Sequence, residues 1–247
     1  MKLLSLAPSC TEILYALGLG DQIVGTTVYC DYPPDAQKKL KIGSWITTQP
    51  EKIKALKPDL IFTSYFLPEP LIGWTGPGEI IHIVPRTLDD IQESFKIIGR
   101  VTKQYCRALE LVQRFKYQLE QIRLSQPTTR PKVYMEEWPS PPMVSGNWIP
   151  EIVAIAGGIP VIAKKGLPSC EFNFQELARE DPDVMIFHWC GFGDRWNKSI
   201  IINRNGWKDL KAIQKNTLFV IHDSLLNRPS PRLVIGAQKL QQIFANL

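Results

Sequence analysis

Three groups of residues have types and spacings that suit chemistry. His188 and Cys190 stand two apart at the end of an apolar run. On an extended strand both point to one face, where an imidazole and a thiolate can ligate a metal ion. His222, with Asp223 beside it, ends a second apolar run and offers further ligands. Cys190 also opens Cys190-Gly191-Phe192-Gly193, a tight turn that suits a nucleophile, but the sequence places no general base beside it. The third group is aromatic. Tyr29, Tyr32, Trp45, Tyr65, Trp138, Trp189 and Phe192 fall in or beside the segments that follow apolar runs. Aromatic rings bring large apolar area with little rotamer freedom, so this set suits a broad, flat, partly apolar ligand. His82, within Ile80-Ile81-His82-Ile83, reads as a strand residue. There is no glycine-rich phosphate loop, no G-x-S-x-G elbow and no H-E-x-x-H pattern. With no matched acid and base, an enzyme of unknown reaction is the remaining alternative to a binding protein.

The elements that must position these residues alternate. Leu3–Ala7, Gln22–Thr27, Leu60–Ser64 and Ile80–Val84 read as strands. Between them, Ser9 to Glu12 and Thr48 to Glu51 have the form of capping boxes that open helices. In the second half Val133–Glu136, Val161-Ile162, Val184–Trp189 and Leu218–Ile221 read as strands, and Trp138-Pro139-Ser140-Pro141-Pro142 as a stiff loop. Asn147 and Ser230-Pro231 are expected to cap helices, with Leu233, Ala237, Leu240 and Phe244 of the last helix facing inward. From Leu88 to about Ser125 no proline intervenes, and Tyr105, Leu109, Val112, Phe115, Leu119 and Ile122 recur at helical spacing. The expected fold is α/β: two lobes of short parallel sheets flanked by helices, 1–87 and 127–247, bridged by a helical segment at 88–126. Ligands of such sheets bind beyond the carboxyl ends of strands and at domain interfaces, so function is expected in the cleft between the lobes.

Composition narrows the class. The net charge of +5 is scattered, with Lys38, Lys39, Lys41, Lys52, Lys54 and Lys57 among its sources, and forms no stripe of the kind that binds nucleic acid. No apolar run is long enough to span a bilayer. A monomer with no nucleic-acid partner and no intrinsic cofactor is expected. Five cysteines, an odd number without a C-x-x-C pair, suit a reducing compartment. Met1-Lys2 runs directly into the first strand. A cytoplasmic protein that does not depend on a transporter is therefore expected, with a periplasmic or lipid-anchored one as the alternative.

Four stretches, in order along nearly the whole chain, carry a resemblance to a known family. They are Ser5-Leu-Ala-Pro-Ser-Cys-Thr-Glu-Ile-Leu14, Tyr29-Cys-Asp-Tyr-Pro-Pro34, Ile53-x-Ala-Leu-Lys-Pro-Asp-Leu60 and Ser230-Pro-Arg-Leu-Val-Ile-Gly-Ala-Gln-Lys-Leu240. Together they resemble the cobalamin-binding members of the periplasmic iron-siderophore and cobalamin receptors, substrate-binding proteins of ABC importers with a helical backbone. The resemblance implies two α/β lobes joined by a long helix and non-enzymatic binding of a cobalamin-like corrinoid as ligand. It implies that Tyr29 or Tyr32, and Trp45, line the corrin site, while Leu225 stands where the family has a tryptophan. It also implies that Glu69 is a contact for an ABC permease, whereas Asn227 stands where the second lobe would offer its carboxylate. The alternative within the same family is a receptor for a ferric siderophore or a metal ion, using His188, Cys190 or His222.

Overall fold

Short strands buried on both faces need helices on either side, and the first unit is built that way. A computed structural model describes the whole chain, residues 1–247. The N-terminal part contains β1 (Leu3–Ser5), α1 (Pro8–Ala16), β2 (Ile23–Thr26), α2 (Pro34–Gln37), α3 (Pro50–Leu56), β3 (Leu60–Ser64), β4 (Glu79–Ile83), α4 (Leu88–Val101) and α5 (Tyr105–Leu124). All three residues of β1 are buried, as expected for a strand covered on both faces. The sheet runs β2-β1-β3-β4 with every pair parallel, Leu3 opposite Leu60 and Leu60 opposite Glu79. Leu4, Leu6, Ile42, Ile53, Ile61 and Leu71 form the core on one side of it.

Helix starts depart from the expected capping boxes. Pro8 and Pro50 occupy the first turns of α1 and α3, where a missing N–H costs nothing, and the caps are Ala7 and Gln49 without side-chain bonds. Ser9 therefore lies inside its helix, and the Thr48 hydroxyl instead donates to the Ser44 carbonyl at 2.6 Å. Trp148 and Arg232 take the cap positions expected for Asn147 and Ser230, while Asn173 and Asn197 cap two short helices with their side chains.

The 88–125 stretch is two helices, broken at residues 102–104, where Lys103 has φ 59. A Cβ on Gly99 would stand 2.3 Å from the Ala108 Cβ, so only glycine permits the approach of α4 to α5. The buried stripe of α5 is Ala108, Leu111, Val112, Phe115, Leu119 and Ile122; Tyr105 and Leu109 are exposed. The stripe is thus rotated from the expected one at its start, where the Tyr105 ring lies beneath the Arg100 guanidinium at 5.4 Å.

The chain divides into two compact units, residues Met1–Pro85 with Asp89–Arg114, and Arg86–Leu88 with Phe115–Leu247. The second contains β5 (Lys132–Pro139), β6 (Pro142–Val144), α6 (Ile149–Ile155), β7 (Ile159–Pro160), β8 (Cys170–Glu171), α7 (Phe174–Glu180), β9 (Val184–Phe187), α8 (Lys198–Ile202), α9 (Lys211–Gln214), β10 (Leu218–Val220) and α10 (Leu233–Ala245). Its sheet is separate, ordered β10-β9-β5-β6-β8 with β7 beside β5. It is mixed and not purely parallel, because β5 continues through the expected proline loop to Pro139 and folds back onto β6 as a hairpin. Tyr134, Phe187, Trp189, Trp207 and Leu218 are among its core residues, and α10 turns Leu233, Ala237, Leu240 and Phe244 inward.

Candidate ligand-binding site

In the first unit, loops beyond the carboxyl ends of β2 and β3 hold aromatic rings outward by polar interactions beneath them. The Lys41 ammonium donates to Thr26 Oγ1 (2.9 Å), the Cys30 carbonyl (3.1 Å) and the Ala36 carbonyl (2.9 Å). All three of its protons are placed, so it ties the 27–36 loop to β2 and leaves Tyr29 and Tyr32 exposed on that loop. Burial lowers the Lys41 pKa, with Cys30 and Asp31 opposing the shift. Trp45 stands on a turn closed by reciprocal bonds, Ser44 N–H to Thr47 Oγ1 and Thr47 N–H to Ser44 Oγ, both 3.0 Å. Gly43, at φ +110, makes that turn reachable; a Cβ there would lie 2.1 Å from the Thr47 carbonyl oxygen. The Trp45 ring stacks on Phe66 with centroids 5.1 Å apart and planes 22° from parallel. Trp45 is 45% exposed and Phe66 63%, so the stack is an open apolar platform and not core. Tyr65, at φ 61, is half-buried and commits its hydroxyl to the Pro85 carbonyl at 2.5 Å.

The second unit carries a second platform at the ends of β5 and β9. Trp138 and Phe192, 40% and 37% exposed, meet edge to face at 6.3 Å. Phe192 sits at the tip of a turn that the Asp223 carboxylate grips, accepting from the Gly191 N–H (2.9 Å) and the Gly193 N–H (3.1 Å). Trp189 departs from the ligand-contact role expected of it. It is 2% exposed, packs edge-on against Phe192 at 5.6 Å, and donates its indole N–H to Glu136 Oε1 at 2.9 Å. It backs the platform and offers no face to a ligand.

Beneath Trp189 lies a charge that the sequence did not announce. Glu136 is fully buried, and the Arg204 guanidinium bonds both its oxygens, at 2.6 and 2.9 Å, while the Tyr134 hydroxyl donates to Oε2 at 2.6 Å. Burial pushes the Glu136 carboxyl up, and Arg204, Tyr134 and Trp189 pull it back. The available signal was an acidic residue inside an apolar strand; its partner lies 68 residues away.

The three residues of the metal alternative are not brought together as ligands. His188 is fully buried, with Nε2 at 2.8 Å from Ser145 Oγ and Nδ1 hydrogen-bonded to Asn227 Oδ1, so both ring nitrogens are committed. His222 accepts from the Ser224 N–H at 3.2 Å as a helix cap. No group of three or more His, Cys, Asp or Glu side chains is placed to hold a metal ion. Cys190 is exposed beside the platform, but burial of its sulfur and the charge of Glu137 push its pKa up, away from the thiolate a nucleophile needs. Glu69 is exposed on a short 3-10 turn, whereas Asn227 faces inward to His188 and Leu225 belongs to the core. His82 bonds Thr63 Oγ1 at 2.8 Å along the edge of the first sheet. No helix is long and apolar enough to cross a membrane.

The family described as "Periplasmic binding protein" matches residues 3–225. A vitamin B12-binding protein of Vibrio cholerae serotype O1 is 27% identical, covering 97% of this chain and 87% of its own length. The crystal structure of a periplasmic vitamin B12-binding protein from V. cholerae superposes with a TM-score of 0.76 at 25% identity, covering 98% of this chain and 96% of that one. A heme complex of a Staphylococcus aureus protein superposes with a TM-score of 0.84 at 20% identity over 98% of each chain. These matches overturn the cytoplasmic expectation, since the family and the V. cholerae structure are periplasmic. The cysteine count did not fix the compartment: all five thiols are free, Cys10 and Cys30 buried in the core and Cys106, Cys170 and Cys190 exposed. With two separate α/β units, open aromatic loops at strand ends and a family match over 3–225 of 247 residues, the chain belongs to the periplasmic binding protein family.

Proposed function

We propose that this protein is a non-enzymatic receptor that binds a cobalamin-like corrinoid. The observation that carries the reading is the open Trp45–Phe66 stack, together with exposed Tyr29 and Tyr32 on a loop that the Val28 N–H ties to the Gly43 carbonyl at 3.0 Å. Side chains of this kind suit the flat, largely apolar face of a macrocycle, while phenol hydroxyls suit its amide rim. Tyr29, Tyr32, Trp45, Tyr65 and Phe66 on the first unit, and Trp138 and Phe192 on the second, are the ligand-contacting residues in this reading. The 27% identity to a vitamin B12-binding protein supports the choice of macrocycle. Delivery to an ABC permease would use the exposed Glu69 carboxylate. Titration with cyanocobalamin and cobinamide, followed by tryptophan fluorescence, tests the reading: saturable quenching that is lost in Trp45→Ala is expected. No response up to millimolar ligand rejects it.

Two exposed phenols on one loop favour a second reading, heme, because a tyrosinate can serve as an axial ligand to iron. Hemin binding with a Soret shift abolished by Tyr29→Phe or Tyr32→Phe, together with no corrinoid response, would select it.

A further inference from the structure

We infer that the buried Glu136–Arg204 pair is a positioning device for the second unit's aromatic platform. This rests on the assignment of Trp138 and Phe192 to the ligand. Glu136 lies on β5 opposite Phe187 of β9, in a core made of Tyr134, Phe187, Trp189 and Trp207. Core stability alone does not require it, since a buried ion pair is often no more stabilising than apolar side chains of the same volume. Its bonds connect the parts that carry the platform. One carboxylate oxygen takes the Trp189 indole N–H, fixing the segment that follows β9. The same Arg204 nitrogen that bonds Glu136 Oε1 also donates to the Pro139 carbonyl at 2.7 Å, fixing the end of β5 next to Trp138. The Trp138 indole is held in turn by the Ser140 carbonyl at 3.0 Å. Trp138 and Trp189 both meet Phe192, so the pair sets two of the surfaces between which that ring rests. Arg204 is itself oriented by the Trp207 ring, 4.4 Å beneath its guanidinium carbon. The planar fork matters: it bonds Glu136 Oε2 through Nη1 and Oε1 through Nη2 while Nη2 also reaches the Pro139 carbonyl, a two-pronged geometry that a point charge in place of Arg204 does not reproduce.

The test separates position from stability. The double variant Glu136→Leu/Arg204→Met removes both charges and leaves neither one buried alone, so it is expected to fold with a cooperative melt. With 5-fluorotryptophan incorporated, the seven tryptophans give fluorine resonances that single Trp→Phe changes assign. The Trp138, Trp189 and Trp207 signals should move in the double variant, while those of Trp45 and Trp74 in the first unit stay in place. Affinity for cyanocobalamin should fall by about tenfold or more, as for loss of a supported aromatic anchor. Arg204→Lys, which keeps the charge and loses the fork, should remain folded and still move the Trp138 signal. A folded variant with all seven signals unmoved, or with platform signals moved and cyanocobalamin affinity unchanged, overturns the inference. If the double variant has no cooperative melt, Arg204→Lys decides by the same signals. If the wild-type protein does not bind cyanocobalamin, the ligand assignment fails and the fluorine signals alone judge the positioning role.

Discussion

Lowering the pH from 7 to 5 should destabilise the protein through His188. Asn227 Oδ1 can only accept, so the His188 Nδ1 it contacts carries the proton; Nε2 is then the acceptor for the Ser145 hydroxyl at 2.8 Å. Asn227 Nδ2 also donates to the His188 carbonyl at 3.0 Å, which locks this arrangement. The neutral ring is fully satisfied, and a second proton would put a charge into a fully buried site. Burial accordingly lowers the His188 pKa, with Glu137, the Asn227 bond and Asp223 opposing the shift. The folded protein thus keeps the ring neutral while the unfolded chain takes up a proton below about pH 6.5. The stability from this site is complete above that pH and is lost as pH falls from there toward the folded value. Each unit of pH removes at most about 1.4 kcal/mol, so the loss between pH 7 and 5 reaches about 2 kcal/mol if the folded ring stays neutral. Urea unfolding at pH 7, 6 and 5, for wild type and His188→Gln, measures it. The variant should be weaker at pH 7 by about 1–3 kcal/mol from its disturbed buried bonds, but the gap should narrow on acidification. Carboxylates titrate in both proteins and cancel in the difference. A gap that stays constant from pH 7 to 5 would refute the reasoning.

Trp45→Ala removes a ring that is 45% exposed. Covering about 110 Å² of it with ligand contributes about 2.8 kcal/mol, so the cyanocobalamin Kd should rise about 100-fold with little change in Tm; isothermal titration checks this, and a change below threefold would count against the platform. Asp223→Ala leaves the Gly191 and Gly193 N–H groups without their carboxylate and should cost about 1–3 kcal/mol in urea unfolding, with faster amide hydrogen exchange at both glycines. Native protein treated with a chromogenic disulfide reagent should release three equivalents of thiol, from exposed Cys106, Cys170 and Cys190. Cys190 should be the slowest of these because its pKa is raised, and Cys10, whose thiol burial pushes up to about 12, should react only on unfolding together with Cys30.

Much of this architecture is written in local pattern. The strands at Leu3 and Leu60 open on apolar residues, Val184–Phe187 is an unbroken apolar run, and the inward face of α10 follows from four residues at helical spacing. What escaped reading depends on partners distant in sequence. Three prolines between Trp138 and Met143 read as a loop because proline cannot donate to a ladder, yet β5 and β6 pair there with Pro139 opposite Pro142 at the hairpin end. Glu136 closes the strand expected at Val133–Glu136 with no role legible in the sequence, and only Arg204, brought in from beyond α8, explains it. The aromatic loop residues were identifiable by their position after strands. Which of them face outward was not: Trp189 and Trp138 have the same composition signal and opposite fates.

The division into units has a consequence for synthesis. The backbone passes from one unit to the other at 85/86, at 88/89 and again at 114/115. Arg86 and Leu88 are bonded to Asn147 and Glu151, residues made some sixty positions later. As the chain emerges from the ribosome, the first unit cannot be completed until residue 114 has left the tunnel, and by then three residues belonging to the second already hang between its finished sheet and its last helices. Neither unit is a contiguous stretch of message. Gene-level exchange of one unit between relatives therefore needs three junctions, and a simple cut at residue 87 would strip α4 and the start of α5 from the first unit while leaving the second without Arg86 and Thr87.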